Sequence, residues 1–155
     1  DLPEYAYRGV PAVFYGAEME GPFRIWGKSP RHLDFLWTAD YTYAKNRHTG
    51  QPLPRIAPFG LTGTLAYRYN DWDATFTVRH AASQHRVPIH DSPTSGYTTL
   101  ALSVSRIFEI NNTQWTIFVR GNNLTNEEVR YATSILRDIA PQGARGIQIG
   151  INATF

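Results

Sequence analysis

Gly146-Ile-Gln-Ile-Gly-Ile-Asn-Ala-Thr-Phe155, the last ten residues of the chain, alternate strictly between two kinds of side chain. One phase holds Ile147, Ile149, Ile151, Ala153 and Phe155, and the other holds glycine and polar residues. A period of two predicts a β-strand with one face in an apolar medium and the other against water. A barrel strand that ends at a membrane interface also has a reason to stop on an aromatic residue. The stretch therefore predicts a strand of a membrane barrel.

The composition narrows the class of protein. A chain of 155 residues without a shift in composition predicts one domain, residues 1–155. The absence of cysteine excludes disulfides and thiolate zinc sites. A net charge of +2, from singly scattered basic residues, gives no reason to expect nucleic acid. No run of about 18 apolar residues exists, so no transmembrane helix is expected. Because the chain opens at Asp1 without a methionine, we expect it to be a piece of a longer protein.

Six upstream segments alternate in the same way. The clearest is 32–43, in which the other phase is polar except for Leu36 and the apolar phase contains Leu33, Phe35, Trp37, Ala39, Tyr41 and Tyr43. A helix would scatter these aromatic residues around its circumference, so a strand is favoured. The remaining strands are predicted at about 10–26, 59–69, 72–79, 99–108 and 114–122, after an extended lead-in at 1–9.

The links between the predicted strands alternate in length. Short turns near 27–31, 70–71 and 109–113 are separated by long loops near 44–57, 84–96 and 123–144. Outer-membrane barrels have short links at one rim and long links at the other. Aromatic side chains are expected at both membrane interfaces, and the residues assigned to them are Trp37, Tyr41, Trp72, Trp115 and Phe155. The predicted fold is all-β: an antiparallel up-and-down transmembrane β-barrel segment of about seven strands.

A soluble antiparallel sandwich or ligand-binding barrel is the alternative, because it would show the same alternation. It does not explain why Trp and Tyr gather at strand ends. Arg106 argues the other way, since it lies on the apolar phase, where a mid-bilayer position costs about 2–4 kcal/mol. Its place near a short turn lets it snorkel toward water. Seven strands leave two open edges, so the piece must pair with further chain or self-associate.

Three segments carry a resemblance to a known family. Phe14-Tyr-Gly-Ala-Glu-Met-Glu20, Asn122-Asn-Leu-Thr-Asn126 and the final strand from Arg145 to Phe155 resemble, in this order, the C-terminal barrel strands of TonB-dependent outer-membrane receptors. The resemblance covers essentially the whole chain but only about the last third of such a barrel. Residues 131–145 are most similar to the zinc- or haem-uptake branch of that family.

The resemblance implies a 22-stranded barrel in the bacterial outer membrane that is a transporter and not an enzyme. It implies uptake of zinc, haem or an iron–siderophore as cargo, with no resident cofactor. The implied partners are outer-membrane lipid, the receptor's own plug domain, TonB, and the barrel-assembly machinery, which would contact the C-terminal strand. If the last strand runs down to the periplasm, the three long loops are extracellular.

Four residues in these loops are candidate ligands for the cargo. His85, His90 and Asp91 share one loop and His48 lies in the neighbouring one. Imidazole and carboxylate groups on adjacent loops can bind Zn²⁺, and one imidazole can ligate haem iron. Ordinary solvated histidines explain the same sequence. His90 beside Asp91 also permits a hydrolytic site, but no motif places a nucleophilic serine beside them.

Charged residues on the polar phases are predicted to face the barrel lumen. They are Glu18, Glu20, Arg68, Arg79 and Arg120. Glu18 and Glu20 invite an acid–base role, but carboxylates two residues apart on a strand lie about 6–7 Å apart, here in a water-filled lumen. Ion pairs across strands, or from the wall to the plug, are the expected role of this set.

Overall fold

The computed structural model describes residues 9–155, and these residues form a single seven-stranded antiparallel sheet. The strands are β1 (Ala12–Lys28), β2 (Arg31–Asn46), β3 (Gly60–Tyr69), β4 (Trp72–Ala81), β5 (Tyr97–Ile110), β6 (Thr113–Asn122) and β7 (Gly146–Thr154). They pair in chain order from β1 to β7, which confirms the predicted all-β, up-and-down arrangement. All but the last residue of the predicted lead-in at 1–9 lies outside the described residues. Among residues 9–155 no helix is long and apolar enough to cross a membrane.

The connections separate the sheet into two rims. Two-residue turns at Ser29-Pro30, Asn70-Asp71 and Asn111-Asn112 lie at one end, which we name the short-turn rim. The loops 47–59, 82–96 and 123–145 lie at the other end, the long-loop rim. Asn111 and Asn112 both have positive φ, 51° and 58°. Tight hairpin turns need this conformation and asparagine tolerates it, so the sequence closes the hairpin locally.

The register brings the apolar phases of the strands onto one face of the sheet. One row of directly paired residues crosses six strands as Leu33, Tyr67, Ala74, Val104, Val119 and Ile149. Side chains two residues apart point to the same side, and the next row toward the long-loop rim is also apolar: Phe35, Leu65, Phe76, Leu102, Gly121 and Ile147. We name this surface the apolar face and the opposite surface the polar face.

The apolar face is uncovered in the part of the chain that the structure describes. Ile147 and Ile149 are each 73% exposed and Phe23 is 63% exposed, and no large side chain among residues 9–155 is fully buried. Water-soluble monomers rarely expose contiguous apolar patches beyond a few hundred Å². The closed apolar core that the soluble alternative requires is not formed by these residues.

A small buried cluster lies on the polar face instead, at the long-loop rim. Ala81 and Tyr97 are paired ends of β4 and β5, and Val129 of the loop 123–145 packs against them. Tyr131 completes the cluster, with its ring centroid 6.0 Å from that of Tyr97. The longest loop therefore folds over the polar face of the sheet.

Candidate functional site

The polar face carries paired charges at the short-turn rim. Arg24 of β1 forms an ion pair with Asp34 of β2. Arg68 of β3 donates from Nε to Asp73 Oδ1 of β4 at 2.6 Å. In both cases the partners lie directly opposite in the register, so strand pairing alone places them together. The expected cross-strand ion pair is present at Arg68.

Hydroxyl groups lie close together in the middle of this face. Thr64 Oγ1 and Thr77 Oγ1 are hydrogen-bonded across β3 and β4 at 2.9 Å. Five more hydroxyls lie around them on the polar face of β3–β5 and are half-buried: Thr62, Thr75, Thr99, Ser103 and Ser105. We name these seven residues the hydroxyl zone. Charged residues border it in the register: Asp73 lies opposite Ser105, Arg79 lies between Thr62 and Thr99, and Arg120 lies opposite Ser103.

The other predicted polar residues lie on the same face. Glu18 lies opposite Asp40 and Glu20 opposite Thr38, and neither glutamate forms an ion pair with another residue in 9–155. Arg79 lies 5.4 Å from the centroid of the Tyr131 ring, and Arg120 lies 4.6 Å from that of Phe118. The register thus gathers all five predicted residues on one surface.

The three loops of the long-loop rim are connected by polar contacts. Gln84 donates from Nε2 to the carbonyl of Ile56 at 2.8 Å, which ties the loop 82–96 to the loop 47–59. Arg137 joins the loop 123–145 to the loop 82–96 through an ion pair with Asp91. Its guanidinium also donates to the carbonyl of Ala132 at 3.0 Å, and the side chain is only 5% exposed. A buried arginine needs such partners because an unpaired buried charge is costly.

Sequence reasoning missed this Arg137–Asp91 clasp. The partners lie 46 residues apart on different loops, and no periodic pattern connects loop residues. Arg86 was missed for the same reason. Its guanidinium bonds to the hydroxyl of Tyr41 and lies 5.0 Å from the ring centroids of Tyr41 and Tyr43.

The four candidate ligands are not assembled into a metal site. His48, His85 and His90 are exposed at the long-loop rim, whereas Asp91 is half-buried against Arg137. Within residues 9–155 no three His, Asp or Glu side chains come together in a group that could hold a metal ion. Capture by these four residues stays a prediction, and it would need loop movement. The alternative hydrolytic site loses its orienting carboxylate because Asp91 is engaged by Arg137.

Three of the five predicted interface aromatics lie at strand ends, and Tyr41 lies five residues inside β2. Trp72 begins β4, Trp115 lies near the start of β6, and Tyr41 lies toward the long-loop end of β2. Phe155 follows β7 and is fully exposed. Trp37 differs, because it lies in the middle of β2 opposite Gly21 and Gly63.

Both the sequence and the fold of this chain are similar to those of known proteins. Residues 2–124 match a family model described as TonB dependent receptor-like, beta-barrel. Among solved structures the chain is similar to one titled Copper transporter OprC, with a TM-score of 0.75 and 18% sequence identity. The similarity covers 90% of this chain and 23% of that one, so the chain spans about a quarter of its length. No curated protein sequence matches.

Proposed function

Because the chain belongs to the TonB-dependent receptor β-barrel family, whose members are outer-membrane receptors and transporters of bacteria and not enzymes, we propose that it forms barrel wall and extracellular loops of an uptake channel. The proposed cargo is a scarce metal or metal complex: zinc, haem or an iron–siderophore. Residues 1–155 would form the C-terminal portion of the barrel. The observation that carries the proposal is one sheet with a bare apolar face and a charged, hydroxyl-rich polar face.

The apolar face is assigned to outer-membrane lipid. Large apolar side chains remain exposed on this face in every strand except β2, for example Met19 (59%) on β1 and Ile151 (57%) on β7. Lipid tails are the medium in which such a surface is stable, since every strand backbone group inside the sheet is already paired. The aromatic residues at strand ends then lie at the height of the lipid headgroups.

The polar face is assigned to the channel lumen and to the plug domain within it. Glu18 and Glu20 lack ion-pair partners among residues 9–155, and so they are available to cations of a plug. TonB would supply the energy for cargo movement by acting on the plug. The closing strand β7, with its alternating apolar residues, would contact the barrel-assembly machinery.

Cargo capture is assigned to the long-loop rim. His85 and His90 are exposed on a loop whose neighbours hold it through Gln84 and Arg137. Imidazole ligands suit zinc, copper and iron alike. The named copper cargo of the similar solved structure belongs to that protein, and it makes Cu²⁺ a useful second probe here.

Metal titration of the intact receptor tests the capture residues. Zn²⁺ and Cu²⁺ are added to the wild type and to a His85→Ala/His90→Ala double variant, and binding is followed by calorimetry. Loss of two imidazole ligands should weaken binding at least tenfold. The control is His80→Ala, because His80 lies on β4 and its Nδ1 is hydrogen-bonded to Thr98 Oγ1 at 2.8 Å. Equal affinity in the double variant and the wild type contradicts the capture assignment.

A further inference from the structure

Four arginines lie near the short-turn rim, and the two faces of the sheet give them different partners. On the polar face, Arg24 and Arg68 are neutralised by Asp34 and Asp73. On the apolar face, Arg31 and Arg106 form no ion pair with any residue in 9–155. Carboxylates of the sheet therefore neutralise the arginines on the polar face but not those on the apolar face.

Aromatic rings take the place of carboxylates around the two unpaired arginines. Arg31 lies 4.9 Å from the ring centroid of Trp26 and 5.5 Å from that of Tyr69, and its Nε donates to the Tyr67 hydroxyl at 3.0 Å. Arg106 lies 5.2 Å from the ring centroid of Trp72. Cation–π contacts hold a guanidinium in place without cancelling its charge.

These side chains form one lateral row across the sheet. The register pairs Lys28 with Arg31, Arg31 with Tyr69, Tyr69 with Trp72 and Trp72 with Arg106. We name this row the cationic belt. Its three cations lie on the apolar face at the level of the β3–β4 turn, where a barrel meets the lipid headgroups.

A groove adjoins the cationic belt at Arg106. It has a volume of about 550 Å³, and on the apolar face its walls are formed by Trp72, Val104, Phe108, Ile117 and Val119. Apart from Arg106 the lining on this face is apolar. Arg106 lies between Val104 and Phe108 along β5, so the groove combines one cation with an apolar lining. This combination matches a molecule with an anionic head and a hydrocarbon tail.

We propose that the cationic belt and this groove bind an anionic phospholipid, with the headgroup phosphate at Arg106 and an acyl chain along Val104 and Val119. This inference rests on the assignment of the apolar face to lipid, made under the proposed function. Charge complementarity selects the occupant. A headgroup with a net negative charge is attracted by the three cations of the belt, whereas a zwitterionic headgroup is attracted less strongly. Arg31 and Lys28 attract the same class of lipid along the row.

Quenching of tryptophan fluorescence by brominated lipids tests the inference on the full-length receptor in phosphatidylcholine vesicles. Brominated phosphatidylglycerol or brominated phosphatidylcholine is added as the guest lipid, and their relative association is read from the extent of quenching. One Lys or Arg near a lipid surface contributes about 1 kcal/mol, which corresponds to about fivefold in association. Arg106→Gln should reduce the preference for phosphatidylglycerol by about this factor, and Arg106→Lys should retain most of it.

The matched control is Arg120→Gln. Arg120 is also an exposed arginine over an aromatic ring, but it lies on the polar face, so its loss should leave the lipid preference unchanged. Equal quenching by the two brominated lipids in the wild type, or equal effects of Arg106→Gln and Arg120→Gln, overturns the anionic-lipid site and leaves the lipid-facing assignment intact. Absence of quenching by either lipid overturns both.

Discussion

Replacing Ile149 by arginine places a charge at the centre of the surface assigned to lipid. Ile149 is 73% exposed, so the substitution removes little protein packing. The residue lies six positions before Phe155, about 20 Å along the strand at roughly 3.3 Å per residue. At a strand tilt of about 40° this is about 15 Å in height, near the middle of an apolar band about 25 Å tall.

The expected cost follows from that depth. An arginine on the lipid face at the bilayer midplane destabilises a barrel by about 2–4 kcal/mol, which is roughly 25-fold or more in the folding equilibrium. The neighbouring Gln148→Arg provides the matched control because Gln148 lies on the polar face, opposite Arg120. Two such charges in water repel by about 1 kcal/mol or less. Ile149→Arg should therefore be the more destabilising of these two adjacent substitutions by arginine.

The assay is a urea titration of the full-length receptor folded into lipid vesicles, with unfolding followed by tryptophan fluorescence. The free energy of unfolding is compared among the wild type, Ile149→Arg and Gln148→Arg. Equal losses in the two variants, or a larger loss for Gln148→Arg, would refute the assignment of the two faces.

Two further substitutions probe features that the structure revealed. Gly150→Ala should destabilise the receptor by about 1–3 kcal/mol, because the Phe118 ring occupies the space that a Cβ would need. The control is Gly146→Ala on the same strand, whose Cβ meets nothing within 4 Å, and it should change stability by less than about 0.5 kcal/mol. Equal urea midpoints for the two variants would contradict the packing argument. Arg137→Met removes the ion pair with Asp91, which is a contact between two loops. The variant should therefore speed proteolysis of the loop 123–145 severalfold and hardly change the urea midpoint of the barrel. An unchanged cleavage rate would show that the Arg137–Asp91 clasp does not hold the loop.

Most of the fold was predictable because its determinants are local. Period-two alternation defines each strand, and two-residue turns such as Asn111-Asn112 fix the register of the hairpins they close. The observed strand ends differ from the predicted ones where polar residues continue the pairing with the neighbouring strand. β2 continues to Asn46, three residues beyond the predicted end at 43, because Lys45 and Asn46 remain opposite Val13 and Ala12.

Features that depend on distant contacts could not be read from the pattern. The Arg137–Asp91 clasp and the packing of Val129 on Tyr97 join segments with no shared periodicity. Trp37 is predicted at an interface, and its position in the middle of β2 depends on the length of the strand. Arg106 looked like a local exception within an apolar strand until the register placed it beside Trp72.

The hydroxyl zone has a consequence for how a cargo would travel along this wall. A hydroxyl group both donates and accepts hydrogen bonds, so it can solvate a cation, an anion or a neutral complex in turn. The zone is bordered by fixed charges, because Arg79 lies between Thr62 and Thr99 in the register and Arg120 lies opposite Ser103. We expect the hydroxyl groups to supply neutral hydrogen-bonding partners between the fixed charges of the wall, while recognition of the cargo depends on the long-loop rim.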